Sequence, residues 1–358
     1  MLERRGRSWD GRRAWPATVV LVTAATLGAA CGDEGGEAAG DRGEADVETV
    51  DFEATGAFLA SASERSTAEP YRFETSIAMT IAAEGESVDV DAPFSSGAVD
   101  GDGFVQHIDM NEYMDQMTSS MGAGGSMPDL DLTIDTVVDG ETMWLRAPMF
   151  AQIGELGGAG TVPPVFTEMG DGWGRVDISA LGPKAVGEAT RLGGSPTGGD
   201  PREILAMLES ADDVSELGED TVDGDPVEGL SATMSMGELV EAGGADLDAV
   251  TEQAAAQAGD ELSPEEAEAA AQAMLEAEMP IEAWVDDDGY VRRVVMTIDM
   301  AEIATGMGEQ VPDGDQFAIG TTIEFTDYGG TGIDVAPPPE AADAVDLTEA
   351  FTQLQAMG

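Results

Sequence analysis

The sequence has a single cysteine, Cys31, and a single histidine, His107, among its 358 residues. One cysteine cannot form an intrachain disulfide or a cysteine-rich zinc site. One histidine leaves little material for histidine-based catalysis, and no nucleophile motif accompanies His107. Basic residues are also scarce, with 15 Lys and Arg against 72 Asp and Glu and a formal charge of −57. A surface this negative repels phosphate backbones, which need clustered cations for counterion release, and it repels anionic lipid headgroups equally. A nucleic-acid partner is therefore not expected. Aromatic residues make up 5% of the chain while methionines number 19, so the interior is built mainly from aliphatic and thioether groups. The hydrophobic fraction of 42% is enough for a sizeable core beneath an acidic coat.

Long apolar runs are lacking too. Thr18 to Ala30 is uncharged and contains Val19, Val20, Leu21, Val22 and Leu27, but it is shorter than the roughly 20 residues a membrane-spanning helix needs. Arg4, Arg5, Arg7, Arg12 and Arg13 precede it, and Gly28, Ala29 and Ala30 lead into Cys31. A charged head, a short apolar segment and small residues describe a signal peptide over residues 1–30. Cys31 stands where a bacterial lipoprotein is cut and acylated, although Leu27 lies one position earlier than the usual lipobox and Gly28 takes its slot. An ordinary secretory cleavage near Ala30 is the alternative, and the residues after Arg12 and Arg13 lack the rest of a paired-arginine export motif. Acylation of Cys31 with diacylglycerol and palmitate-type chains predicts a protein tethered to the cell membrane on its extracytoplasmic side.

Residues 31–48 are Gly, Ala, Asp and Glu with scarcely a large apolar side chain, and read as a flexible acidic tether. Residues 49–358 read as one domain. Helical composition runs from Phe52 to Ala68 and stops at Pro70. Phe73, Thr75, Ile77, Met79 and Ile81 then alternate with more polar residues, the period-two signature of a half-buried strand. Further strands are expected over 88–94, 104–110, 130–138, 142–147, 174–178, 227–235, 291–300 and 319–325. Asp-Gly pairs at 100–101, 102–103, 139–140, 171–172, 223–224 and 288–289 suit the positive φ of tight hairpins. Helices are expected over Pro201 to Glu209, capped by Asp200, and over an Ala- and Glu-rich insertion near 246–278. Within that insertion Ser263-Pro264-Glu265-Glu266 starts a new helix that ends at Pro280. Pro337-Pro338-Pro339 precede a short polar helix.

Several stretches carry a family resemblance. Trp173-Gly174-Arg175-Val176-Asp177, Leu217-Gly218 with Val222-Asp223-Gly224, the run from Trp284 to Arg293, and Phe325-Thr326-Asp327-Tyr328-Gly329 with Pro337 resemble actinobacterial lipoproteins of the LppX/LprAFG type, in the same order across residues 50 to 345. The resemblance implies an α+β fold of the LolA/LolB kind. That is a curved antiparallel β half-barrel with helices covering the concave face around an apolar cavity for acyl chains. It implies a lipid- or glycolipid-binding carrier, with no enzymatic activity and no cofactor. The Met-rich segment near 110–127 and the helical stretch near 246–278 are longer than the family pattern.

The residues expected to line such a cavity are Phe73, Ile77, Met79 and Ile81 on the first strand and Val294, Met296 and Ile298 on a late one. Plain core is the competing reading of these faces. Met110, Met114, Met117 and Met121 fall on one helical face, which suits the lip of a lipid cavity, simple packing or Cu(I) binding by thioethers. No metal site is expected from the Asp clusters, because aligning Gly289 with the glycine of an EF-hand loop puts Trp284 first and Val295 last. A second function class is an envelope sensor or protein-interaction lipoprotein with a closed core and no ligand. A protein partner is not identifiable from the residues.

Overall fold

The computed structural model describes residues 58, 61–62, 65–66, 68–83, 86–101, 103–120, 130–155, 164–180, 214–235, 237–238, 272, 275–306, 312 and 316–357. The signal peptide, Cys31, the tether, the Pro201 to Glu209 helix, Met121 and nearly all of the 246–278 insertion lie outside the described residues.

Twelve strands form one sheet: β1 (Tyr71–Ala83), β2 (Glu86–Asp100), β3 (Gly103–Asp109), β4 (Thr133–Asp139), β5 (Thr142–Arg146), β6 (Gly174–Asp177), β7 (Ser215–Val222), β8 (Asp225–Ser235), β9 (Glu278–Asp286), β10 (Val291–Asp299), β11 (Gln316–Thr326) and β12 (Val345–Asp346). Their order across the sheet is β12-β6-β5-β4-β3-β2-β1-β11-β10-β9-β8-β7. Two meanders, β1 to β6 and β7 to β11, are thus joined side by side through β1 and β11. Every pairing is antiparallel except β12 with β6. The helices with complete bounds are α1 (Asn111–Ser120), α2 (Pro148–Glu155), α3 (Pro164–Met169), α4 (Met300–Gly306) and α5 (Thr348–Met357). This is the expected α+β half-barrel class, an open sheet with its helices on one face.

Four of the six Asp-Gly pairs sit at hairpins. At the β7–β8 turn Asp223 and Gly224 both have positive φ, 53° and 92°, the conformation of a two-residue turn whose twist matches its strands. Three strands, β7, β9 and β12, were not expected from the sequence. β7 carries Gly218 and β12 has only two residues, so neither shows alternation. β9 contains Pro280, which was expected to end a helix; helical structure ends by Leu275, and Pro280 sits near the start of the strand opposite Thr233. β2 runs longer than expected because a bulge between Thr75 and Ser76 takes up one extra residue beside Pro93, where a missing N–H disturbs the ladder least.

The helix-covered face carries the cores. Tyr71, Phe73, Leu230, Ile281, Val294 and Phe325 belong to the largest buried cluster, which also takes in Ala62 from the helical segment before β1. A second cluster joins Met143, Leu145 and Val176 of the sheet to Phe166 and Met169 of α3 and Phe351 of α5. The C-terminal helix expected to be polar therefore docks by an apolar face. Met300 and Ile303 of α4 pack against Ile298, Phe317 and Ile319 in a third.

Gly97 explains one close approach within the first cluster. It lies opposite Phe73, and a Cβ at this position would collide with the Phe73 ring and the Val105 carbonyl oxygen. The bare backbone lets the Phe73 ring cross β2 and stack on Phe104, with centroids 5.9 Å apart and planes 9° from parallel. Gly97→Ala is expected to destabilise the fold by about 2 kcal/mol through overpacking. The measurement is the urea midpoint, and an unchanged midpoint would show that the ring is not held there.

Candidate functional site

The seven residues picked from the sequence lie on β1 and β10, which are not neighbours; β11 runs between them. Register nonetheless brings them to one face. Thr75 pairs with Ile323 and Ile323 with Val294; Ile77 pairs with Thr321 and Thr321 with Met296; Met79 pairs with Ile319 and Ile319 with Ile298. Directly opposed residues point to the same side of a sheet, so these rows are continuous apolar strips with Thr75 and Thr321 as their polar members. Phe73 continues the face at one end, beside Phe325, and Ile81 at the other, beside Phe317 and Val88.

Burial along this face is graded. Phe73 and Val294 are essentially inaccessible, and Met79 and Met296 are 6% and 4% exposed. Ile77, Ile81 and Ile298 are half-buried, as are Val88, Phe317 and Ile319. The closed end is an aromatic and ionic plug. Tyr71 meets Phe325 edge-on at 5.9 Å and Tyr328 at 5.6 Å, and Tyr328 stacks on Tyr290 at 4.5 Å. Arg292 lies over both Tyr290 and Tyr328 and pairs through Nε with the buried carboxylate of Asp286 at 2.6 Å. Tyr328 donates to the Val291 carbonyl at 2.7 Å, and burial pushes its phenol well above the ordinary range. The Val291 amide in turn donates to buried Ser66, which fastens the helical segment before β1.

The half-buried end lies between two short helices. α4 covers Ile298, Phe317 and Ile319 through Met300 and Ile303. α1 rests on the β2 side, where the Tyr113 hydroxyl donates to the Met79 sulfur at 3.7 Å and burial raises the Tyr113 phenol. Asp109 caps α1 by accepting from the Asn111 backbone amide at 2.9 Å. Met110, Met114 and Met117 are all half-buried, the pattern of a helix resting on the sheet without sinking into it.

One element of this face had no counterpart in the sequence reading. Thr75, Ser95, Gln106 and Thr136 are buried polar residues running diagonally across β1 to β4. Gln106 Nε2 donates to Ser95 Oγ at 3.3 Å, but Thr75 Oγ1, Gln106 Oε1 and Thr136 Oγ1 have no partner. Leaving such atoms unpaired costs about 1–3 kcal/mol each. A clue to them was the break in apolar alternation at Thr75 and Gln106, but it does not separate an inward polar group from a strand edge.

The opposite face is polar. His107, half exposed, has Nδ1 2.7 Å from Asp135 Oδ1, and the other oxygen of that carboxylate accepts from Arg146 at 3.0 Å. Arg72, Arg175 and Arg293 also lie on this side, against Asp327, Asp346 and Glu324. The single histidine thus sits in a cross-strand ionic row. Two concavities open here: one of about 400 Å³ between Trp144, Arg175 and Pro337–Pro339, and one of about 230 Å³ beside Arg72, Glu74 and Ser96. Of the seven candidates only Phe73 contributes to either. Among the described residues no group of three His, Cys, Asp or Glu side chains could hold a metal ion, and no helix is long and apolar enough to cross a membrane.

No protein-family model and no curated protein matches the sequence. Similar solved structures include LprF from Mycobacterium bovis, at 12% identity over 80% of this chain and 97% of that one, with a TM-score of 0.32. LppX from Mycobacterium tuberculosis is similar at 12% identity over 78% and 98%, with a TM-score of 0.32. A LolA superfamily protein from Nitrosomonas europaea is similar at 9% identity over 80% and 95%, with a TM-score of 0.21. These include the lipoprotein names that the sequence motifs resemble.

His107→Gln is expected to change the unfolding free energy by less than about 1 kcal/mol, because a half-exposed side-chain hydrogen bond to a carboxylate contributes little. A larger loss in chemical denaturation would show that the ionic row supports the sheet.

Proposed function

We propose that the chain is a lipid-binding lipoprotein, held at the extracytoplasmic face of the cell membrane by acylated Cys31, which takes acyl chains against the face of β1, β10 and β11. The observation that carries this reading is the apolar row from Met79 through Ile319 to Ile298 with its half-buried neighbours Ile77 and Ile81. It supplies a broad aliphatic surface between α4 and α1, whose flanking Met110, Met114 and Met117 are only half-buried. Each methylene transferred from water to this surface contributes about 0.8 kcal/mol before ordering costs. The residues assigned to lipid contact are Phe73, Ile77, Met79, Ile81, Val294, Met296 and Ile298. The signal peptide over 1–30 and the tether over 31–48 belong to the same proposal. Carriage needs no covalent chemistry and no cofactor.

A second reading has its own support. Phe73, Met79, Val294 and Met296 are buried to within 6% of full closure, and of these only Phe73 reaches either concavity above. That favours a closed-core lipoprotein that senses or binds an envelope partner.

Native mass spectrometry of the full chain carrying Cys31→Ser, purified without detergent and followed by organic extraction, separates the two. A stoichiometric adduct with the mass of an acylated lipid supports the carrier. A clean apo mass that persists after incubation with lipid extract supports the closed core. Ile298→Asp, at a half-buried position, is expected to lower lipid retention at least tenfold while the folded state persists. Undiminished retention in a folded variant would remove this face from the site. In cells, Cys31→Ser is expected to move the protein from the membrane fraction to the medium or periplasm.

A further inference from the structure

We propose that the polar diagonal of Thr75, Ser95, Gln106 and Thr136 is a recognition site for an uncharged, hydroxyl-bearing group of a lipid, which enters the apolar face polar end first. This inference rests on the lipid-binding reading above and assigns the chemical class of its cargo.

Three observations converge. The first is position. Thr75 is opposite Ser95, Gln106 is opposite Thr136, and Gln106 reaches Ser95, so four side chains on four adjacent strands form one continuous polar track. The track begins next to Ile77, where the half-buried apolar strip ends, and runs diagonally into the row of Phe73, since Gly97 lies opposite Phe73 on one side and Gln106 on the other.

The second is unmet hydrogen bonding. Thr75 and Thr136 are 4% and 1% exposed and Gln106 is 1% exposed, yet their Oγ1, Oγ1 and Oε1 atoms have no partner. Two hydroxyls can each donate and accept, while the amide oxygen only accepts. The complement is a group that both donates and accepts, which an alcohol does and a bare hydrocarbon or ketone does not.

The third is charge. The described Arg65, Arg72, Arg146, Arg175, Arg292 and Arg293 are all engaged elsewhere, by carboxylates or by the Tyr290 ring. None of them belongs to the track. An anionic phosphate brought there would be desolvated without a counter-charge inside a chain of formal charge −57, which is strongly unfavourable. A hydroxyl has no such cost. The cargo class is therefore a neutral acylated alcohol, such as a partial acylglycerol or an uncharged glycolipid. Its chains run outward along Ile77, Met79 and Ile81.

The test uses the full chain with Cys31→Ser, delipidated and offered equimolar 1,2-dioleoylglycerol, its O-methyl ether and dioleoyl phosphatidic acid, with retained lipid quantified by mass spectrometry after gel filtration. The wild-type sequence is expected to retain the free alcohol about tenfold over both the ether and the phosphatidic acid. Thr136→Val, which keeps the shape and removes the hydroxyl, is expected to bring alcohol and ether to near parity while raising the thermal midpoint of the empty protein. Thr75→Val is the second variant and should act in the same direction. Equal retention of alcohol and ether by the wild type, preference for the phosphatidic acid, or discrimination that survives both substitutions overturns the assignment. Retention of none of the three lipids overturns the lipid-binding reading itself, and this inference with it.

Discussion

The pairing of β1 with β11 is the constraint on which the rest of the sheet depends. It runs from Arg72 opposite Thr326 to Ala82 opposite Gln316 and is the junction through which the two meanders share one sheet. A slip of one residue would turn Phe73, Thr75, Ile77 and Met79 outward and bring Arg72, Glu74 and Ser76 in. The penalty for burying Arg72 and Glu74 fixes the register. With the register fixed, Ile323 and Ile319 carry the apolar rows on to Val294 and Ile298, and every contact on the helix-covered face follows.

Much of this was legible in the residues. Alternation from Phe73 to Ile81 and from Val291 to Met300 marked two strands and their inward faces, because a sheet with one solvated side imposes a period of two. Asp223-Gly224 and Asp288-Gly289 marked turns for steric reasons that are local to the dipeptide. Adjacency was not legible. The strands holding the seven candidates are separated by β11, and nothing in a period-two pattern states which strand lies beside which. β12 was missed because two residues cannot show a period, and β7 because seven of its eight residues are exposed. The closing helix read as polar, since Thr348, Glu349, Thr352 and Gln353 outweigh the single aromatic Phe351 that docks it. The polar diagonal was hidden for a related reason: a buried threonine and a surface threonine are the same letter.

The two faces divide the chain's chemistry. Among the described residues the cations lie on the outer side or at the plug, each against an acid or an aromatic ring, and the inner side holds aliphatic, thioether and uncharged polar groups. In a chain with nearly five acids for every base this is economical, since five of the six described arginines neutralise a neighbouring carboxylate. On the outer edge at β7 the exposed Glu216, Glu219 and Asp220 discourage another strand from adding to the sheet.

The order of strands also sets the course of folding. β1 is the first of the described strands to be synthesised, and its partner β11 follows about 250 residues later, so the central seam closes across the longest sequence separation of any strand pair in the sheet. Topologies dominated by such distant contacts fold slowly. Until β11 arrives, the first meander carries a long apolar edge at β1 with nothing beside it. For that interval the nascent half-sheet is the species most exposed to misassembly, and the dense negative charge along the chain keeps neighbouring copies apart while the seam waits to close.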